Sequence, residues 1–305
     1  MKISVRWMAV AAVFLGVIAG TSAWLLSAPR PAFSASDPLP DNGNAERGKL
    51  VFASGDCSSC HASPGQSDPL RLGGGLALAS PYGTFRVPNI SSDANDGIGG
   101  WTSTDLANAM LSGVSPAGKH YYPAFPYTSF AHMSVAEIPD LMAYLRSLPA
   151  VSGRPPPHEL ALPFRIRRVL GLWKLLYFDR SPITDDPTRD AAWNRGRYLV
   201  ESAAHCAECH STRNIFGAVK PAKRYAGAVD PEGVGYIPNI TPSRIGHWSV
   251  DDIAGMLKSG DTPDHGRVGS SMTGVVTNTA QLSDADRVGI ATYIKSLPAL
   301  PTSKP

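Results

Sequence analysis

Hydrophobic positions along this chain fall into three patterns, and each predicts a different element. From Trp7 to Leu26 no residue is charged. A helix over these roughly 20 residues is about 30 Å long, the thickness of a bilayer core, whereas the apolar part of a secretory signal is about 7–15 residues. Thr21-Ser22-Ala23 is a weak cleavage site, so residues 1–28 are expected as a membrane anchor rather than a removed signal segment, with Lys2 and Arg6 on the cytoplasmic side. The second pattern is a helical stripe that occurs twice. Ile138, Leu141, Met142, Leu145 and Leu148 recur at i, i+3, i+4, i+7 and i+10, and Ile290, Tyr293, Ile294 and Leu297 repeat the spacing later. Ser134 with Glu137 predicts a capping box for the first helix, and Ser283 a cap for the second; Pro149 and Pro298 end them. The third pattern lies between the two. Ile166, Val169, Leu170, Trp173, Leu176 and Tyr177 predict an amphipathic helix that packs its stripe between domains and leaves its basic flanks in water, with docking to a partner subunit or contact with the membrane surface as the alternatives.

The two stripes belong to a longer duplication. Val87-Pro88-Asn89-Ile90 matches Ile237-Pro238-Asn239-Ile240, Trp101 with Asp105 matches Trp248 with Asp252, and Tyr144 to Pro149 matches Tyr293 to Pro298. The offset is about 150 residues, which is a duplicated domain rather than a solenoid unit. Each unit is expected as helix one near Ala45 or Asn194, a middle helix ending at Gly113 or Gly260, and the capped last helix. Gly48 and Gly196 leave room on helix one for Tyr144 or Tyr293. The expected boundaries are an anchor or signal segment over 1–28, a flexible tether over 29–42, domain one over 43–150, a linker over 151–189 and domain two over 190–301.

Composition adds limits. Hydrophobic residues make up 43% of the 305, enough for packed cores, and a net charge of +3 argues against a nucleic-acid partner. All four cysteines lie in two pentapeptides, Cys57-Ser58-Ser59-Cys60-His61 and Cys206-Ala207-Glu208-Cys209-His210. C-x-x-C-H is the attachment signature of haem c: two thiols one turn apart form thioethers to the vinyl groups, and the histidine lies under the iron. Two haem c groups are therefore expected, on Cys57 and Cys60 and on Cys206 and Cys209, with His61 and His210 as proximal ligands. A zinc site would need a fourth ligand near each cluster, and a redox dithiol would sit in a βαβ pattern that is absent. Thioether attachment follows export, which puts the folded part on the periplasmic side.

Each unit resembles a class I cytochrome c, and the fold expected is all-α, two tandem such domains behind a transmembrane helix. Asn44 to Pro298 is similar to the cytochrome c subunits of membrane-bound alcohol, gluconate and aldehyde dehydrogenases. The resemblance rests on Cys206 to Asn214, on Tyr122-Pro123-Ala124-Phe125-Pro126-Tyr127, and on Leu162-Pro163-Phe164-Arg165 with Leu172-Trp173. Those subunits usually carry three haem motifs and this chain has two. In a class I cytochrome the distal ligand sits between the middle and last helices. Of seven methionines, Met1 and Met8 lie in the export segment, Met110, Met142 and Met256 fall on helices, and Met133 and Met272 remain in that loop region. Histidine ligation by His120, His132 or His265 is the alternative, with a lower potential; His205 is on the proximal side, and His158 and His247 read as ordinary histidines. Asn89, Asn239, Trp101 and Trp248 are expected either to hold propionates or simply to pack, and Arg213 to pair with a propionate.

The function expected is electron transfer, not catalysis, from a dehydrogenase subunit to a quinone, cytochrome or oxidase at the inner membrane. The competing reading is a haem enzyme, a dihaem peroxidase or thiosulfate-oxidising cytochrome, with one exchangeable axial site. Residues 154–180 carry Arg154, Arg165, Arg167, Arg168, Lys174 and Arg180 against Glu159 and Asp179. This stretch is expected to meet an acidic partner or, alternatively, haem propionates.

Overall fold

The computed structural model describes residues 5–34, 36–230 and 235–303; Met1 and Lys2 lie outside them. The helices are α1 (Val5–Leu26), α2 (Ala45–Ser54), α3 (Cys57–His61), α4 (Ser103–Ser112), α5 (Tyr127–Phe130), α6 (Glu137–Ser147) and α7 (Val169–Tyr177), followed by α8 (Ala191–Glu201), α9 (Ala207–His210), α10 (Pro242–Ile245), α11 (Val250–Ser259), α12 (Met272–Thr279) and α13 (Asp284–Lys295). Among the described residues, five short strands refine the all-α expectation: β1 (Ala77–Leu78), β2 (Gly83–Arg86), β3 (Glu159–Leu160), β4 (Ala228–Val229) and β5 (Tyr236–Ile237). They pair antiparallel as β1-β2-β3 and β4-β5.

Local chemistry explains most helix ends. Asn44 and Asp190 cap α2 and α8 by accepting the amides of Arg47 and Trp193. Capping boxes of Thr102 with Asp105 and of Ser249 with Asp252 start α4 and α11, and Gly113 and Gly260 end them in the left-handed region. The start of α8 therefore lies three residues before Asn194. The capping box expected at Ser134 does not form: α6 begins at Glu137 behind Ala136, with no side-chain cap. Glu137 instead accepts the Tyr198 hydroxyl at 2.5 Å, and that hydroxyl accepts the Ser134 amide at 2.8 Å. A contact between the two repeats displaces a local one.

Two cores result. Phe52, Leu106, Ile138, Leu141 and Met142 lie in the first, and Leu199, Ile253, Ile290, Tyr293 and Ile294 in the second. In each, the first helix crosses the last at backbone contact. A Cβ on Gly48 would overlap the Asp140 carbonyl, and one on Gly196 would overlap the Gly289 carbonyl. The expected aromatics lie nearby: Tyr144 packs edge-on against Phe52, and Tyr293 edge-on against Trp193.

The first crossing is fastened by Asp140, whose carboxylate accepts the Asn44 amide at 2.6 Å and Arg47 Nε at 2.6 Å. The Arg47 hydrogen bond, with that from Asn44, holds the Asp140 carboxyl below its usual 3.8. A depressed carboxyl contributes stability above its unfolded value and loses it as pH falls through the folded value. Asp140→Asn is therefore expected to lower the melting temperature at pH 7, with the gap from wild type closing as pH falls below the ordinary carboxylate range. Thermal unfolding across that range checks it.

Residues 29–42 are not a free tether. Phe33 and Leu39 pack on the first core, the Phe33 amide and carbonyl both bond the Asn108 side chain, and the Leu39 amide donates to Thr104. Asp41 accepts the Ser103 amide at 2.8 Å. The linker start is also part of the first unit, because β3 extends its sheet.

Helix α7 departs in part from its expected orientation: of the stripe, Leu170, Trp173 and Tyr177 are half-buried, but Ile166, Val169 and Leu176 are exposed. Gly171 is its buried residue, set against Ser27. Its basic neighbours turn inward: Lys174 Nζ donates to the Ser112 and Gly113 carbonyls at the end of α4, and its pKa is pulled down to about 7 by burial and by Arg180. Arg167 donates to the His120 carbonyl and lies over the Tyr122 ring; Arg168 donates to Ser27 Oγ and lies over Trp24. Arg154 pairs with Asp96, and Arg165 donates to the Leu160 carbonyl. The cationic docking patch is thus largely consumed by intramolecular contacts.

Candidate haem sites

Each C-x-x-C-H motif forms a short helix, α3 or α9, entered through a left-handed residue. Asp56 (φ 50) precedes Cys57 and His205 (φ 37) precedes Cys206. This break separates helix one from the motif. It also sets the cysteines and histidine on their own turn.

The strands then explain themselves. β2 delivers Val87-Pro88 and β5 delivers Pro238 back over the motif. The Pro88 carbonyl lies 2.9 Å from His61 Nδ1, and the Pro238 carbonyl 2.7 Å from His210 Nδ1. A carbonyl can only accept, so Nδ1 carries the proton in both rings and Nε2 presents a lone pair. Burial, the dominant influence, also lowers both imidazole pKa values, His61 to about 4. The neutral, ligating form is therefore present at neutral pH. Desolvation likewise pushes the unmodified thiols up, Cys60 to about 11 and Cys206 to about 12, with Cys57 and Cys209 raised as well. Such thiols are poor thiolate ligands. Among the described residues no three His, Cys, Asp or Glu side chains converge to hold a metal ion by themselves. The donor set fits a group that brings its own equatorial ligands, as haem does.

The recurring asparagines have a different task. Asn89 Nδ2 donates to the Val151 and Gly153 carbonyls, and Asn239 Nδ2 to the Leu300 carbonyl. Both are buried and pin the chain after the last helix to the loop that carries the proline. Trp101 packs on the first core, while the Trp248 indole donates to Asp264. Arg213 pairs with Glu208 at 2.6 Å rather than standing free for a propionate. In the second unit, the buried Tyr225 hydroxyl finds no hydrogen-bond partner among the described residues; burial and the nearby Glu201 carboxylate hold its pKa well above the usual value, and Arg224 lies beside its ring. A buried donor left so costs about 1–3 kcal/mol, and a carboxylate-bearing cofactor fits there.

Met133 is buried in the first core, and Met272 packs on the second. Met272 is not in a loop as expected: it opens α12. The histidine alternatives are engaged elsewhere. His120 Nε2 meets the Ser27 carbonyl at 2.9 Å, His132 Nδ1 meets the Ser181 carbonyl at 2.6 Å, and His265 is exposed on a turn.

The two motifs lie back to back, which nothing in the sequence announced. Cys209 is near enough to add to the raising of the Cys60 thiol, and His205 Nε2 meets the Gly55 carbonyl, beside Asp56, at 3.3 Å. Each motif also supports the opposite methionine. Asn278 of α12 donates to Asp56 at 2.6 Å and accepts from Ser58 at 3.2 Å. Glu208 of α9 accepts the Thr128 and Ser129 hydroxyls of α5 at 2.7 and 3.0 Å, just ahead of Met133. Glu208 is buried, yet its pKa is lowered, because Arg213 and these hydroxyls outweigh desolvation.

Known proteins agree with this geometry. A cytochrome c family model matches residues 45–149. A dihaem c-type cytochrome of Cereibacter sphaeroides is 48% identical over 85% of this chain and 87% of that protein. The cytochrome subunit of fructose dehydrogenase from Gluconobacter japonicus is 34% identical over 93% of this chain and 60% of that subunit. The cytochrome c subunit of gluconate 2-dehydrogenase from Pantoea cypripedii is 31% identical over 88% of this chain and 63% of that subunit. The chain thus spans about three fifths of the dehydrogenase subunits but most of the dihaem protein. With paired C-x-x-C-H turns, proline-oriented histidines and that degree of identity, the chain belongs to the dihaem c-type cytochromes.

Proposed function

We propose that this protein is a membrane-tethered electron carrier with two haem c groups in tandem class I domains. It accepts electrons from a dehydrogenase and passes them singly to a quinone, a cytochrome or an oxidase on the periplasmic face of the inner membrane. The observation that carries this reading is the back-to-back pair of motifs, each with its histidine aimed by a proline carbonyl. Cys57 and Cys60, and Cys206 and Cys209, would hold the thioethers, His61 and His210 would serve as proximal ligands, and Met133 and Met272 as distal ones. When bound, haem c supplies one-electron Fe(III)/Fe(II) chemistry. The chain does the rest. Pro88 and Pro238 fix the imidazole tautomers and raise their basicity. The cores around Met133 and Met272 exclude water, and thioether ligation favours the ferrous state. The interface of Glu208 and Asn278 keeps the two sites in fixed relation, so that electrons can pass between them without domain motion.

If Met133 and Met272 ligate as proposed, neither haem would offer an exchangeable position. The pyridine haemochrome of the purified full chain is expected to give two haems per polypeptide, and carbon monoxide added to the reduced protein to leave its spectrum unchanged. Rapid carbon monoxide binding at one haem would instead favour the haem-enzyme reading.

A further inference from the structure

Helix α7 presents the wrong face to water. Arg167, Arg168 and Lys174 are tied to the protein, while Ile166, Val169, Leu175 and Leu176 are exposed, Leu176 by 75%. The surface continues through Ile215 and Phe216, 84% and 59% exposed, on a loop whose Phe216 carbonyl accepts the Trp173 indole at 2.9 Å. A cluster of large apolar side chains this exposed marks a site of association.

Its position identifies what covers it. The exit of α1 is not free to swing. Arg168 lies 4.2 Å over the Trp24 ring and bonds Ser27 Oγ at 3.0 Å, His120 holds the Ser27 carbonyl, and Gly171 allows backbone contact between Ser27 and α7. α1 has 22 residues, about 33 Å at 1.5 Å each, so its end at Leu26 reaches the edge of the hydrocarbon. Leu175 and Leu176 lie four and five residues beyond Gly171, about 6–8 Å along the axis. That is within the headgroup layer, where in-plane amphipathic helices bury their apolar faces. Arg30 and Arg180 are exposed just past the ends of α1 and α7, where phosphates would meet them.

We infer that the α7 face, extended by Ile215 and Phe216, lies in the membrane interface and orients the haem units on the bilayer, so that the protein is attached at two points rather than one. The inference rests on α1 being a retained anchor, and the test separates the two. The full-length holoprotein carries a nitroxide at Leu176→Cys, or at Phe216→Cys as an independent position, or at Val17→Cys in the middle of α1. Each is reconstituted into vesicles of mixed zwitterionic and anionic phospholipid. Collision with oxygen and with a water-soluble nickel chelate reports depth.

Oxygen access with loss of nickel access at positions 176 and 216 is the result expected, with position 17 deeper still. Nickel access at both 176 and 216 while position 17 lies in lipid would overturn the inference and leave the anchor standing. Nickel access at all three would overturn both. Lipid burial at 176 and 216 with position 17 in water would overturn the anchor and, with it, the two-point attachment. If 176 is open to nickel in vesicles and shielded only after a dehydrogenase is added, the surface belongs to a protein partner and the inference fails.

Discussion

Met133→Ala is expected to remove about half of the weak near-infrared methionine–iron charge-transfer absorbance, and Met272→Ala the other half. Each should also lower one haem potential by roughly 0.1–0.3 V, a fraction of the roughly 0.8 V over which axial ligands tune haem. The effect is large because neither side chain has an easy substitute. Met133 is buried, with its own amide bonded to the Phe130 carbonyl at 2.9 Å, and its neighbour His132 is held by the Ser181 carbonyl. Met272 starts a helix anchored through Asn278 to the opposite motif. Near-infrared absorbance and redox titration of the purified variants are the measurements. A variant that keeps the full band would remove that methionine from the ligand set.

Gly196→Ala and Gly48→Ala are each expected to destabilise the fold by about 2–3 kcal/mol, or roughly 10–20 °C in melting temperature for a domain of this size. Alanine is the better helix former by about 1 kcal/mol, so propensity alone predicts the opposite sign. Packing decides it. The new methyl group would overlap a carbonyl of the crossing helix, at Gly289 or at Asp140, and a backbone atom cannot rotate away. Gly255 in α11 is the internal control, since a Cβ there meets nothing within 4 Å. Gly255→Ala should raise stability by about 1 kcal/mol. Denaturant unfolding followed by far-ultraviolet circular dichroism reads all three. Equal effects at the three sites would refute the close crossing.

Several elements were legible because their signals are local. The C-x-x-C-H spacing, the stripe on α6 and α13, and the stop glycines Gly113 and Gly260 each depend on residues within a few turns. The misreadings share a cause too. Ser134 and Glu137 have the spacing of a capping box, but Tyr198 lies 61 residues from Glu137 and takes its carboxylate. The stripe on α7 has the period of a buried face. Periodicity says that one side is apolar, not which side meets protein, and here the carbonyls at the end of α4 attract Lys174 inward. Residues 29–42 read as flexible from their Pro and Ser content, while Asn108 and Thr104, far along the chain, supply their partners.

By itself, then, the sequence determined the haem chemistry, the duplication and an apolar N-terminal run long enough to span a bilayer, since these are written in residue type and spacing. Tertiary structure decided which carbonyl aims each histidine, that α12 of one repeat and α5 of the other lean on the opposite motif, and that the basic linker turns its charges inward. Every residue carries a carbonyl, so composition does not distinguish the one at Pro88 from its neighbours. Only the β1–β2 hairpin brings it to 2.9 Å from His61. The same holds for Glu208: its sequence position reads as a motif filler, and its partners Thr128 and Ser129 are about 80 residues away. Long-range hydrogen bonds select among chemically equivalent groups by position in space, and that selection exists only once the chain has folded.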